Sequence, residues 1–220
     1  MSYQHRFIDG TAVGLPTGKV VCVGRNYADH AAELNNPIPT EPMLFIKPST
    51  SVVDMAQPFE IPKANGTVHF ETEMCVLIGE RLSNATIQEA KNAIVGIGLG
   101  LDLTLRDLQD KLKAKGHPWE KSKGFDGAAP LSAFVEPAEI SDLQDVDIKL
   151  IVNGEVRQDG NSAHMLNQVL PLICHSSEFF TLEPGDVILT GTPAGVGPIQ
   201  AGDQLEVELA DCIKISTHAF

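Results

Sequence analysis

Glu71 and Glu73, in the stretch His69-Phe70-Glu71-Thr72-Glu73-Met74, have the types and spacing of a cation site. The flanking pattern alternates. Val68, Phe70, Met74, Val76 and Ile78 fall on one face, and His69, Glu71, Glu73, Cys75 and Leu77 on the other. Strand side chains switch faces at each residue, so both carboxylates project one way, their α-carbons roughly 6.5–7 Å apart. Like charges so placed repel unless a cation lies between them. A solvated strand face would carry the same pair, but Cys75 and Leu77 continue that face with apolar groups, which implies cover. Asp102 is the one charge in residues 95–104 and could complete an all-oxygen site. Alternatively, Asp102 or Thr104 caps the helix that follows. Oxygen-only ligation selects a hard cation, magnesium first, with manganese or calcium as substitutes, and three protein ligands leave positions open for the oxygens of a 2-oxo acid.

His30 and Glu33 lie three apart in a segment with helical spacing, which sets them side by side. A carboxylate beside an imidazole fixes its tautomer and raises its basicity, which suits activation of water. A surface helix pair has the same spacing. Lys123, Arg25 and Arg106 are candidates to bind a carboxylate or an oxyanion, although a single Lys or Arg, Lys47 included, is ordinarily a solvated charge. The loop 191–198 could present Thr192 and backbone N–H groups to a ligand, or its glycines could serve turn geometry alone. There is no GxxxxGK[ST] phosphate loop.

The elements that must hold these residues are mostly strands. Apolar runs at 20–24, 43–47, 68–78, 95–104 and 187–190 read as strands, the fourth with alternating glycines that suit close backbone approach. Residues 146–157 form a hairpin about Asn153-Gly154, and strands close the chain at 205–209 and 213–216. Helical spacing appears at 28–34, from a capping box at Thr86 and Glu89 through Ile94, at 105–115, and at 163–179, where Pro171 marks a kink or a start. Residues 118–130 read as a loop. Strand signals without regular βαβα alternation predict an α+β fold, with residues 1–18 as a lead-in and 19–220 as a single domain.

The chain has 220 residues, 29 acidic and 16 basic, for a formal net charge of −13. That balance excludes a basic nucleic-acid footprint, and an anionic ligand needs a local cationic pocket or a metal. Cys22, Cys75, Cys174 and Cys212 are scattered, which speaks for reduced thiols rather than structural zinc. With no apolar run of membrane-spanning length and no secretory h-region at the N-terminus, a cytoplasmic protein is expected.

The order of motifs carries a resemblance. Residues 23–30 (Val-Gly-Arg-Asn-Tyr-Ala-Asp-His), Phe45-Ile46-Lys47-Pro48, His69-Phe70-Glu71-Thr72-Glu73, residues 102–109, Lys123-Gly124-Phe125-Asp126 and residues 190–197 follow one another without large gaps. In this series the chain resembles the fumarylacetoacetate hydrolase family, in its short branch of acylpyruvate hydrolases and oxaloacetate decarboxylases. The resemblance implies a β-rich mixed sheet rolled into a barrel-like sandwich with a few peripheral helices, in a homodimer. It implies Glu71, Glu73 and Asp102 as magnesium ligands and His30 with Glu33 as a dyad on a short lid helix. Lys123 would stabilise developing negative charge, and Arg25, Arg106, Gln109 and Thr192 would line the substrate site. Ala194 departs from the acidic residue many relatives carry there. The first expectation for activity is metal-dependent hydrolysis of a C–C bond in a 2,4-dioxo acid of acylpyruvate or fumarylpyruvate type, giving pyruvate and a carboxylic acid. The alternatives are oxaloacetate decarboxylation or tautomerisation, isomerisation or decarboxylation of a dioxo acid from aromatic degradation, and a catalytically silent metal or ligand-binding module.

Overall fold

Residues 72–78 and 94–101, each with aliphatics on both faces, pair at the centre of a mixed sheet. The structure, a computed structural model, describes residues 3–34, 37–64 and 66–220. Its strands and helices, in chain order, are β1 (Val20–Gly24), α1 (Ala28–Glu33), β2 (Met43–Lys47), β3 (Val52–Asp54), β4 (Val68–Phe70), β5 (Thr72–Ile78), α2 (Ile87–Ala93), β6 (Ile94–Leu101), β7 (Thr104–Leu105), α3 (Arg106–Ala114), α4 (Glu120–Lys123), β8 (Ala129–Leu131), β9 (Asp147–Val152), β10 (Glu155–Asn161), α5 (Val169–Phe179), β11 (Val187–Leu189), β12 (Gly197–Ile199), β13 (Gln204–Leu209) and β14 (Ile213–His218).

The largest sheet runs β2-β1-β11-β5-β6-β8-β3, with β1 parallel to β11 and β3 parallel to β8. A second sheet, β10-β9-β13-β14, is antiparallel, and a small third one is β12-β4-β7. The mixed sheet curls into a half-barrel. One face of it (Val21, Met74, Val76, Ile97, Leu99) packs on the second sheet (Ile148, Leu150, Val207) and on α5 (Leu172, Ile173), forming the main core. The opposite face (Cys22, Cys75, Leu77, Leu131, Phe134, Leu189) is a second core, covered by Tyr3, Phe7 and Val13 of the lead-in. Cys75 and Leu77 are therefore buried, as the pattern implied.

The glycines of β6 keep that second face thin. A β-carbon at Gly96 would stand 2.9 Å from Phe134 Cβ, and one at Gly100 would stand 2.4 Å from Leu189 Cδ2. The capping box forms as read: Thr86 Oγ1 accepts from the Glu89 N–H while Glu89 Oε2 accepts from the Thr86 N–H at 2.8 Å.

Four local features differ from the sequence reading, the first being that the run 95–104 is two strands, β6 and β7, in different sheets, with Asp102 and Leu103 between them. The run 68–78 is two strands, with Glu71 at the break. The Thr72 N–H donates to Gln158 Oε1 at 3.0 Å, and Glu71 O accepts from the Asp102 N–H at 2.8 Å, so the chain changes sheets there. The loop after α3 contains the short helix α4, which carries Lys123. The last helix begins at Val169, separated by residues 165–168 from a 3-10 turn at Ser162–His164, and Pro171 lies in its first turn, where no intrahelical N–H bond is lost. No helix among the described residues is long and apolar enough to cross a membrane.

Candidate active site

The break after β4 sets Glu71 at one rim of the sheet, and Glu73 follows on β5. Pairing of Glu73 with Gly100 and of Thr72 with Leu101 then delivers Asp102, just past the end of β6, beside both. Ligand oxygens of Glu71, Glu73 and Asp102 all lie within 4.8 Å of one another, and all three residues are buried. The triad expected from the sequence is thus assembled.

Cations and N–H groups surround it. Lys123 Nζ bridges Glu71 Oε2 at 2.8 Å and Asp102 Oδ2 at 2.6 Å. The Arg106 guanidinium pairs with Glu71 Oε1 at 2.5 Å and donates to Gln109 Oε1 at 2.7 Å. Glu73 Oε2 accepts from the Gly191 N–H at 2.7 Å. Lys47 Nζ stands 2.7 Å from Asp102 Oδ1, off the angles of a hydrogen bond, so that buried oxygen has no hydrogen-bond partner among the described residues.

The electrostatics are divided. Burial alone would raise the Glu71 carboxyl, but Lys123 and Arg106 hold it well below the usual carboxylate range. Burial pushes the Glu73 carboxyl well above that range, and the charges of Asp102 and Glu71 push the same way. Burial disfavours the Lys123 ammonium, yet Asp102 and Glu71 carry its pKa above the ordinary lysine value. Three buried carboxylates, one repelled by the other two and one with an unpartnered oxygen, are a donor set that suits a hard divalent cation.

His30 is buried on α1, its Nδ1 3.3 Å from Glu33 Oε2. Glu33 also accepts from the Gly195 N–H at 3.1 and 3.2 Å, which ties α1 to the glycine-rich loop. Arg25, Thr192 and Gln109 line, with His30, Glu71, Glu73, Arg106 and Lys123, one cavity. Arg25 adopts a left-handed backbone with φ 59° at the end of β1, a strained conformation for a non-glycine residue, and its guanidinium donates to Pro37 O at 3.4 Å. Thr192 Oγ1 donates to Thr72 O at 2.8 Å and accepts from Gln158 Nε2 at 2.7 Å. Of the residues singled out from the sequence, Glu33, Asp102 and Lys47 do not line the cavity: Glu33 and Asp102 bond to His30 and Lys123, which do, and Lys47 lies beside Asp102.

Other members had no assigned role in the sequence reading, although Lys47 and Asn26 fell in its motifs. Lys47 is fully buried, and its Nζ donates to Ala128 O at 2.9 Å, to Leu103 O at 3.2 Å and to Lys123 O, so it braces the segment that carries Asp102 and the one that carries Lys123. Gln158 fastens the loop to β5, since its Nε2 also donates to Pro193 O at 2.9 Å. Asn26 Nδ2 donates to Thr190 O at 2.8 Å and to Asn167 O at 3.0 Å, anchoring the start of α1. Lys113 and Trp119 line the cavity as well. For Lys113 the available signal was its spacing, on the helical face of Arg106 and Gln109.

Comparison with known proteins places this arrangement. The family model described as fumarylacetoacetate (FAA) hydrolase C-terminal matches residues 19–218. Oxaloacetate tautomerase YcgM of Escherichia coli K12 is 52% identical over 206 residues, which covers 93% of this chain and 94% of that protein. A solved structure of a fumarylacetoacetate hydrolase family protein from Yersinia pestis CO92 superposes with a TM-score of 0.97 at 49% identity, covering 99% of this chain and 100% of that one. Fumarylpyruvate hydrolase from Pseudomonas aeruginosa, solved with Mn2+ and pyruvate, superposes with a TM-score of 0.91 at 31% identity, over 99% of this chain and 95% of that one. The chain belongs to the fumarylacetoacetate hydrolase family.

Proposed function

We propose that this protein interconverts the keto and enol forms of oxaloacetate or a closely related 2-oxo diacid, with decarboxylation as the neighbouring activity of the same site. The observation that carries the reading is the buried triad Glu71, Glu73 and Asp102 bridged by Lys123, with His30 lining the same cavity, in a chain so similar to an oxaloacetate tautomerase. Bound at the triad, magnesium or manganese would supply Lewis-acid polarisation of the 2-oxo carbonyl. His30, with Nδ1 directed at Glu33, takes a proton from C3 through Nε2 and returns it. Lys123 faces the negative charge that gathers on the C2 oxygen, and Arg106 with Gln109 orients the C1 carboxylate. Tautomerisation ends when the proton that His30 took from C3 is delivered to the C2 oxygen, so none is gained or lost. Decarboxylation yields the enolate of pyruvate by loss of CO2 from C4, with no attacking water.

Hydrolysis of a 2,4-dioxo acid, the first expectation from the sequence, is the second reading. It is supported by the His30–Glu33 pair, which could equally deprotonate water, and by the likeness to the fumarylpyruvate hydrolase. The relatives weigh toward oxaloacetate, because the tautomerase is much the more similar of the two.

The test follows the ultraviolet absorbance of enol oxaloacetate, oxaloacetate loss, and acetylpyruvate and fumarylpyruvate cleavage, each with Mg2+, Mn2+ or chelator. The expected result is metal-dependent acceleration of tautomerisation, lowered about 100- to 10,000-fold in His30→Ala. Preferential cleavage of fumarylpyruvate would install the second reading. Metal binding with no turnover of any of them would leave a silent binding module.

A further inference from the structure

Helix α3 carries Arg106, Gln109 and Lys113 at i, i+3 and i+7, a single helical face. All three line the cavity described above. Arg106 and Gln109 are buried at its floor, whereas Lys113 is half-buried, two turns farther along the helix. Helical rise sets its α-carbon about 10 Å beyond that of Arg106, and the tilt of helical side chains toward the N-terminus brings the ammonium part of the way back. Lys113 Nζ stands 5.4 Å from the centroid of the Trp119 ring, a cation–π contact that holds the chain in place. Trp119 is itself backed by Phe45, at 6.2 Å between ring centroids.

Lys113 differs from the cations below it. Arg106 and Lys123 are both paired with Glu71, but among the described residues Lys113 forms no ion pair. Its surroundings disfavour its charge: burial lowers its pKa and Arg106 and Arg25 add to the effect, partly offset by Asp110 and Glu71. A cation kept at the mouth of a pocket with no carboxylate of its own suits an anion that arrives from outside. Resting on the functional reading above, we infer that Lys113, steadied by Trp119, receives the distal carboxylate of a dicarboxylic 2-oxo acid and sets the preference for diacids over monoacids. A divalent cation held by Glu71, Glu73 and Asp102 would, with Lys123 and Arg106, match the oxo-acid end of such a substrate. Its second carboxylate needs a further positive group, which a chain with a net charge of −13 must supply locally.

The experiment compares the metal-loaded parent with Lys113→Met and Lys113→Arg on three probes: oxaloacetate, its 4-methyl ester and oxalate. Loss of one charge-assisted contact raises KM for oxaloacetate about 10- to 100-fold in Lys113→Met, with kcat changed less than threefold. The ester, which lacks the distal charge, is turned over alike by parent and Lys113→Met. Inhibition by oxalate, which reports the oxo-acid end, stays within twofold, and Lys113→Arg recovers most of the affinity for oxaloacetate. Equal weakening for diacid and ester, or an unchanged KM for oxaloacetate, overturns the assignment. A parent that does not act on oxaloacetate overturns the functional reading instead. Lys113 is then judged by calorimetric binding of oxaloacetate with Mn2+: a Kd weakened about tenfold or more in Lys113→Met supports the assignment, and a smaller change overturns it.

Discussion

Lys47 and His5 show how far one side chain departs from its type. Lysine is ordinarily solvated, yet Lys47 is fully buried, with three carbonyls and Asp102 around its ammonium. Nothing in Phe45-Ile46-Lys47-Pro48 announces this, because the carbonyls come from residues 56 to 81 positions away. His5 is buried far from the site, with Nε2 3.1 Å from Gly185 O and the ring edge-on to Tyr3 and Phe134. Burial lowers its pKa, outweighing the hydrogen bonds to the Gly185 and Pro16 backbones that raise it. An unfolded histidine titrates near pH 6.5, so below that value the unfolded chain binds a proton that the folded chain resists. Stability from this group is full above about pH 6.5 and is lost as pH falls below it. His69 is shifted in the same direction, so the parent alone cannot isolate His5. Urea unfolding at pH 7.5 and 5.5, without metal, should show a smaller acid-induced loss in His5→Gln than in the parent. Identical losses would remove His5 as a source of the acid sensitivity.

Helix α1 has only six residues and no side-chain cap at its start, so propensity alone does not hold it. Asn26 fixes its entry and Glu33 fixes its end to the Gly195 N–H. Gly195 has φ 98°, and a β-carbon there would stand 1.9 Å from Arg157 O. Gly195→Ala must therefore shift the turn between Pro193 and Gly197, at a cost of about 1–3 kcal/mol. That movement withdraws the N–H from Glu33 and loosens the imidazole orientation that Glu33 supports. The expected outcome is a fall in kcat/KM of at least about tenfold, beyond what the stability loss explains at a temperature where the variant is fully folded. A destabilised variant with parental kcat/KM would show that the latch and the chemistry are separate.

Three of the chain's 29 acidic residues, Glu71, Glu73 and Asp102, meet at one buried centre, where Asp102 and Glu71 repel the charge of Glu73. A cation that binds the folded triad and not the unfolded chain stabilises the protein by mass action, about 2.7 kcal/mol at 100 times its Kd. For a chain of this size that is a rise in Tm of roughly 5–11 °C. Thermal unfolding with Mn2+ or Mg2+ should show this rise for the parent and lose most of it in Asp102→Asn. Asp102→Asn with a full metal-induced rise would place the cation elsewhere.

Much of the site was legible in the sequence because its elements obey short-range rules. The alternation at 68–78 put Glu71 and Glu73 on one side, and it survives the break between β4 and β5. The Thr86 capping box and the Asn153-Gly154 hairpin depend on neighbours within a few residues, and both form as read. The motif order carried the family, and with it the half-barrel of mixed sheet. What only the tertiary structure decided are relations between distant segments. Pairing of β5 with β6 brings Asp102 to the two glutamates; the placement of α4 beside them lays Lys123 between Glu71 and Asp102; and Gln158, with no local signal, locks the loop that carries Thr192. Register, burial and local field sum over residues far apart in the chain, and no window of sequence contains them.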